Sequence, residues 1–299
     1  MAEIVGCFAM SHAPQLMIDP DHWDLINKPR PTGPLAPELQ NLSLETKWER
    51  WKRIRAAVDQ IRERVDELAP DALVVVGDDQ HENMVEDNMP PFTIFIGDEA
   101  EASVSLKYLN QKPDQNRTRY AVDAGLGRHL IADLMENGFD PSYSHQTRYV
   151  GGLGHAFARA LKLVTPDAKF PIVPIMVNTY YPPTPSAKRC AQFGEAIASA
   201  IARFPEAKRV AVLASGGLSH TKIDIELDEA FINAIQRNDR GHMEGMRSET
   251  LVDGTSEIRC WVVAAAAADR PATVLAYEPL PRVPDGNGVG MGVAEWTSS

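Results

Sequence analysis

Four of the eight histidines follow short β-like runs in settings rich in Gly, Ser and Asp. They are His12 in Met10-Ser11-His12, His81 in Gly77-Asp78-Asp79-Gln80-His81, His155 in Gly152-Leu153-Gly154-His155, and His220 in Gly216-Gly217-Leu218-Ser219-His220. In open α/β folds ligands gather outside the carboxyl ends of strands, where loops converge, so these histidines are expected to share one polar cleft. Glu257, ahead of the apolar run 261–268, adds a carboxylate. Two histidines and one carboxylate with open positions suit non-haem Fe(II) and oxygen chemistry, whereas sites of histidine alone lean to zinc or copper. A further histidine, titrating near neutrality, can carry protons for such a reaction.

Strand-like and helix-like segments alternate along the chain, which implies a mixed α/β architecture, a mixed sheet core flanked by helices. A strand over 4–9 delivers His12. A buried strand over 72–76 delivers Asp78, Asp79, Gln80 and His81, and one over 209–214 leads into the Gly-rich turn before Ser219 and His220. Further strands are expected at 92–96 and 170–177, with a closing strand at 272–277. Trp48, Trp51, Ile54, Val58, Ile61 and Val65 recur at helical spacing within 44–68, and Pro70 marks that helix's end. Other helices are expected at 119–137, 186–204, 228–236 and 257–268. The stretch 20–41, with Pro20, Pro29, Pro31, Pro34 and Pro37, is too proline-rich for a regular element and is expected to cover a surface or cleft. With no internal repeat or linker, residues 1–299 read as a single domain.

Plainer roles compete at several positions. Asp78 and Asp79 either orient a ligand from behind or simply end a strand by accepting backbone hydrogen bonds. Glu257 also suits a helix N-terminus, where the dipole favours a carboxylate. Ser219 beside His220 could suggest a nucleophile pair, but the Gly-x-Ser-x-Gly elbow of serine hydrolases is absent.

A net charge of −11 disfavours nucleic-acid and anionic-membrane surfaces, because phosphate binding needs a positive field. Cys7, Cys190 and Cys260 are widely spaced, so neither a disulfide framework nor a CxxC metal site is indicated. No apolar run approaches the roughly 20 residues that cross a bilayer. Asp19, Asp21 and Asp24 arrive too early for a signal peptide, and the cytoplasm is the expected compartment.

Several motifs together carry a family resemblance. Asn178-Thr179-Tyr180-Tyr181-Pro182-Pro183 continues through Pro185-Ser186-Ala187-Lys188-Arg189-Cys190 to Phe204-Pro205 and then Gly216-Gly217-Leu218-Ser219-His220. This block resembles the central part of class III extradiol ring-cleaving dioxygenases, with most likeness to the catalytic β subunit of protocatechuate 4,5-dioxygenase. The resemblance runs from Ser11-His12-Ala13-Pro14 to Gly288-Val289-Gly290-Met291. It implies an Fe(II) cofactor bound by two histidines and a glutamate, and insertion of both atoms of O2 into a protocatechuate- or gallate-like aromatic diol. The product would be a ring-opened semialdehyde or acid.

By position the resemblance makes His12 and Glu257 iron ligands, His220 the acid–base histidine, and His155 a further active-site histidine. Ser219, Asp78, Asp79 and Gln80 fall in substrate-binding or supporting positions. Family members carry an Asp-His pair where this chain reads Asp79-Gln80-His81. Strand alternation sends Gln80 and His81 to opposite faces, so only one of them can face the iron. Imidazole is the better Fe(II) ligand, and His81 is the expected one. With Gln80 there instead, a metal-dependent hydrolase or C–C lyase, or a non-catalytic subunit, becomes the competing reading. The resemblance also implies a cover for the active site, either a separate small helical α subunit or the segment 20–41, and a homo-oligomer is expected in either case. Lys188, Arg189 and Arg148 are candidate counter-ions for an acidic ring substituent.

Overall fold

The computed structural model describes residues 1–26, 36–282 and 287–297. Its strands are β1 (Glu3–Met10), β2 (Ala72–Asp78), β3 (Phe92–Phe95), β4 (Glu99–Ser103), β5 (Arg117–Ala121), β6 (Ser142–Ser144), β7 (Ile172–Val177), β8 (Arg209–Ser215), β9 (His220–Lys222), β10 (Thr273–Pro281) and β11 (Asn287–Thr297). Its α-helices are α1 (Leu44–Leu68), α2 (Ala124–Glu136), α3 (His155–Val164), α4 (Ala187–Arg203), α5 (Ile225–Gln236), α6 (Arg240–Gly245) and α7 (Ile258–Ala268).

One mixed sheet runs in the order β10-β11-β1-β8-β2-β7-β3-β6, with β9 paired to β11. Its centre, β1-β8-β2-β7, is parallel throughout, so the carboxyl ends of all four strands open on the same edge. β11 runs antiparallel to β1 and β3 antiparallel to β7. The expected mixed α/β sheet flanked by helices is what the chain builds.

Period-two alternation sorts the central strands between two cores. On one face Cys7 and Ala9, then Ala72, Val74 and Val76, then Val210, Val212 and Ala214 pack with buried residues of α2, α4 and α7. On the other face Phe8 and Met10, then Leu73 and Val75, then Ala211 and Leu213 pack with α1 and α3. Strands buried on both sides need near-continuous apolar runs, and β2 has one from Ala72 to Val76. α7 is buried all round, its Arg259 guanidinium donating to the carbonyls of Pro185, Thr179 and Leu251.

The long amphipathic helix forms over the residues expected, with the Ser43 hydroxyl accepting the Thr46 N–H at its start. Two expectations need correction. Residues 119–121 belong to β5, not to a helix: Tyr120 is buried between exposed neighbours, and Arg117 and Arg119 reach Glu101 across the hairpin with β4. The closing strand is β11, and the expected strand at 272–277 is its hairpin partner β10. The proline-rich segment is only partly described. Pro20–Ile26 and Pro37–Leu39 form 3-10 turns, and residues 27–35, which include Pro29, Pro31 and Pro34, lie outside the described residues.

Candidate functional site

His12 leaves the carboxyl end of β1 and is buried, with 4% exposure. Its Nδ1 lies 3.0 Å from Ser215 Oγ, and that hydroxyl donates to the Ala156 carbonyl at 2.6 Å. The serine proton is thus committed, so Ser215 accepts from Nδ1–H and leaves a lone pair on Nε2. Burial pushes the His12 pKa down to about 3, against the pull of Glu257, and the ring is a neutral ligand donor.

Glu257 ends a 3-10 turn, Asp253–Glu257, directly before α7. One oxygen accepts the Gly217 N–H at 2.7 Å and stands 3.6 Å from His12 Nε2. The other is 3.1 Å from His220 Nε2 and accepts from Gln80 Nε2 at 3.2 Å. Burial alone would raise this carboxyl's pKa, but His220, His12 and the Gly217 N–H outweigh it and hold the group ionised.

His220 begins β9 after the Gly-rich turn, and its Nδ1 lies 3.2 Å from the Leu218 carbonyl. A carbonyl only accepts, and Glu257 is a carboxylate, so the ring carries protons on both nitrogens. Burial opposes that charge, and Glu257 overcomes it and raises the pKa. The turn and the 3-10 segment Asp253–Glu257 facing it carry glycines for a physical reason. A Cβ on Gly254 would overlap the His220 ring, and one on Gly217 would stand 2.8 Å from its Nδ1. Behind the turn, Asp228 accepts from the Ser219 N–H, the Ser219 hydroxyl and the Tyr277 hydroxyl. Ser219 therefore anchors the loop rather than facing the cavity.

The turn after β2 behaves differently. Asp78 continues the parity of Ala72, Val74 and Val76 and faces the α7 side, towards Glu257. Asp79, on the opposite parity, accepts the N–H groups of Glu82, Asn83 and Met84 and ties the turn together. Gln80 swings back into the cavity, its amide donating to Asp78 Oδ2 at 3.1 Å as well as to Glu257. His81 takes φ +59° and points out of the cavity. Its ring stacks on Tyr181 with centroids 3.5 Å apart, and its Nε2 lies 3.2 Å from Glu86, without hydrogen-bond alignment. The structure thus brings His12, Gln80 and Glu257 together and leaves the expected ligand His81 outside. The reason is the tight turn closed by Asp79 onto the N–H groups of residues 82–84, within which His81 takes its left-handed backbone conformation.

His155 opens α3, where Nδ1 sits 3.0 Å from Glu82 and the ring meets His12 edge-on at 5.0 Å. Burial works against the charged ring, but Glu82 raises its pKa. Glu82's own is lowered despite burial, with help from the N–H at the helix start.

These groups line a cavity of about 470 Å3 that also exposes Lys107, Tyr149, Arg159, Tyr180 and Arg282. Sequence reasoning missed Glu82, Arg159, Lys107 and Arg282. Glu82 lay one residue beyond the motif that was read, whereas the three cations come from segments with no local motif. The counter-ions named from sequence lie elsewhere: Arg148 pairs with Asp87, and Arg189 caps Gly138 O over Phe139.

His12, Asp78 and Glu257 are buried, and one ligand atom from each lies within 4.8 Å of the others. Asp78 Oδ1 is buried with no hydrogen-bond partner among the described residues. Burial, and then the charge of Glu257, pushes the Asp78 carboxyl well above its usual range. A buried acid with an orphaned oxygen, beside ionised Glu257 and a neutral imidazole, fits a divalent cation that would take the place of its proton.

The family described as the catalytic LigB subunit of aromatic ring-opening dioxygenase matches residues 36–284. Several curated proteins that the chain resembles are named 2,3-dihydroxyphenylpropionate/2,3-dihydroxicinnamic acid 1,2-dioxygenase. That of Paraburkholderia xenovorans is 31% identical over 169 residues, covering 56% of this chain and 48% of the relative. That of Rhodococcus sp is 30% identical over 173 residues, covering 56% and 49%. The chain spans about half the length of the curated relatives it matches. An uncharacterised protein of Escherichia coli K12 shares the fold with a TM-score of 0.55 at 13% identity, over 97% of this chain and 99% of that one. No helix among the described residues is long and apolar enough to cross a membrane.

Proposed function

This chain belongs to the family of the catalytic LigB subunit of aromatic ring-opening dioxygenases, and on that premise we propose that it opens the ring of a catechol-like substrate with O2, using iron(II) held by His12 and Glu257. The observation that carries this reading is the convergence of a neutral histidine, ionised Glu257 and the acid–base candidate His220 on one cavity. When bound, the metal supplies a centre at which diol and oxygen meet and exchange electron density.

The chain's own residues account for binding and proton handling. His220, held between Leu218 O and Glu257 with a proton on each nitrogen, donates its Nε2 proton to an oxygen of the bound diol as the ring opens. Gly217 N–H and the Gln80 amide fix the Glu257 carboxylate while that proton moves. The pair Glu82–His155 places a second proton-bearing ring at the cavity wall beside His12. Lys107, Arg159 and Arg282 give the cavity a positive rim, which suits a ring carrying a carboxylate. Protocatechuate and gallate carry the carboxylate on the ring, and 2,3-dihydroxyphenylpropionate carries it at the end of a side chain.

The test is oxygen consumption by anaerobically Fe(II)-loaded protein against those three diols and unsubstituted catechol, with iron quantified in the same sample. Uptake with a yellow ring-opened product is expected, fastest on a carboxylated diol. Iron-replete protein that consumes no oxygen with any of them would overturn the reading.

A further inference from the structure

The β2 turn gives this chain a metal-ligand set of its own. The family resemblance calls for two histidines and one carboxylate, but the position that faces the cavity after Asp79 is Gln80, and its amide nitrogen is committed to two carboxylates. His81 is held against Tyr181 on the far side of the turn. What stands with His12 and Glu257 is Asp78, fully buried, one oxygen bound to Gln80 and the other without any hydrogen-bond partner among the described residues.

We propose that the metal centre of this chain is a one-histidine, two-carboxylate site in which Asp78 Oδ1 is the third protein ligand and Gln80 is a clamp that holds the two carboxylates in register. Three features support it. The ligand atoms of His12, Asp78 and Glu257 fall within 4.8 Å of one another, a spacing that a single ion can bridge. Burying a carboxyl oxygen with no partner is costly, and a cation bound there removes that cost. The Gln80 amide donates to Asp78 Oδ2 and Glu257 Oε1, which leaves Asp78 Oδ1 for the ion. Two carboxylates and a neutral imidazole cancel the charge of a divalent ion, where two imidazoles and one carboxylate would leave it positive. Oxygen-rich sets also lose the preference for Zn, Ni and Cu that imidazole confers, and they suit Mn(II) alongside Fe(II). The inference rests on the proposed metal dependence but not on the reaction.

The experiment is calorimetric titration of Mn(II) into the metal-stripped full chain, for the wild type, Asp78→Asn and His81→Ala. Asn keeps the shape of Asp and the Gln80 contact, so folding is retained, and far-UV circular dichroism checks it. One Mn(II) per chain is expected in the wild type, with affinity lower by about 100-fold or more in Asp78→Asn and unchanged in His81→Ala. Pulsed hyperfine spectroscopy of Mn(II)-loaded wild type, which needs no variant, should count one coordinated imidazole. Two coordinated imidazoles, or loss of binding in His81→Ala with Asp78→Asn unaffected, would overturn the proposal while leaving the dioxygenase reading intact. Wild type that binds neither Mn(II) nor Fe(II) would overturn both. Metal bound through one imidazole with no oxygen uptake would uphold the ligand set and sink the reaction.

Discussion

Two neighbouring strands, β2 and β8, release loops into the same cavity and solve the same problem in opposite ways. After β8 the backbone yields to a side chain: Gly217, with Gly254 facing it, clears the space in which the His220 ring lies. After β2 a side chain commands the backbone: Asp79 gathers three N–H groups, and whatever follows goes where that turn sends it. Each loop is anchored by a buried aspartate, Asp228 from α5 in one case and Asp79 from the turn itself in the other. The lesson is that a histidine's neighbours decide its role. His220 is in the site because glycines make room for it, and His81 is out because an aspartate curls the chain around it.

The largest expected effect breaks the glycine side of this comparison. Gly254→Ala should displace the His220 ring and cut turnover by about 10²–10⁴-fold, the range of a lost acid–base group, with metal content unchanged. His220→Phe should match it in steady-state assays with iron measured in parallel. Equal activity in either variant would remove His220 from the proton-handling role.

On the aspartate side, Asp79→Ala strands three N–H groups and should cost about 3 kcal/mol of stability by urea denaturation, at roughly 1 kcal/mol per bond. A loss near zero would mean that the turn is held by other contacts.

The second anchor adds a pH dependence. Burial pushes the Asp228 pKa up to about 6, in spite of its hydrogen bonds from Ser219 and Tyr277. The native state therefore binds this proton more tightly than the unfolded chain. The resulting stabilisation is fully present below the unfolded value near 3.9 and is lost as pH rises through about 6. A shift of this size corresponds to on the order of 3 kcal/mol. Stability of the wild type relative to Asp228→Asn should fall between pH 4 and 7 (roughly the window set by those two values) in paired denaturation curves. A constant difference across that window would mean that Asp228 stays ionised.

The smallest effect is expected for His81→Ala, which loses one half-exposed stack on Tyr181 and should cost about 0.5–1 kcal/mol. Activity should be untouched, as oxygen uptake would check.

That His12, Glu257 and His220 meet in one cavity was legible in the sequence, because each stands at the junction of an apolar run with a short polar or glycine turn. The limit of legibility is the β2 turn. Alternation says that Gln80 and His81 diverge, but the choice between them was made by Asp79, through hydrogen bonds that the chain forms only once it has turned. Asp78 was named as a supporting residue, and its direction could have been read by carrying the parity of Ala72, Val74 and Val76 one step further, onto the side where α7 packs. β11 escaped notice because its glycines read as loop. They are required there, since Gly290 lies against Asp228 and a Cβ on Gly292 would stand 2.9 Å from the Trp261 ring. The hairpin of β4 and β5 was missed because charged residues alternate along it and only Tyr120 marks the buried side of β5.

The antiparallel pairing of β1 with β11, Met10 opposite Val293, with Ser11 N–H on the Gly292 carbonyl, sets an order of events during synthesis. β1 is made well before β11 and waits with one edge bare until β11 emerges. Until then the strand that carries His12 is fixed on only one side, by β8. A nascent chain stalled before β11 should therefore expose a sticky apolar strand to its neighbours. Chaperone demand tied to that edge should end at the moment β11 closes over β1.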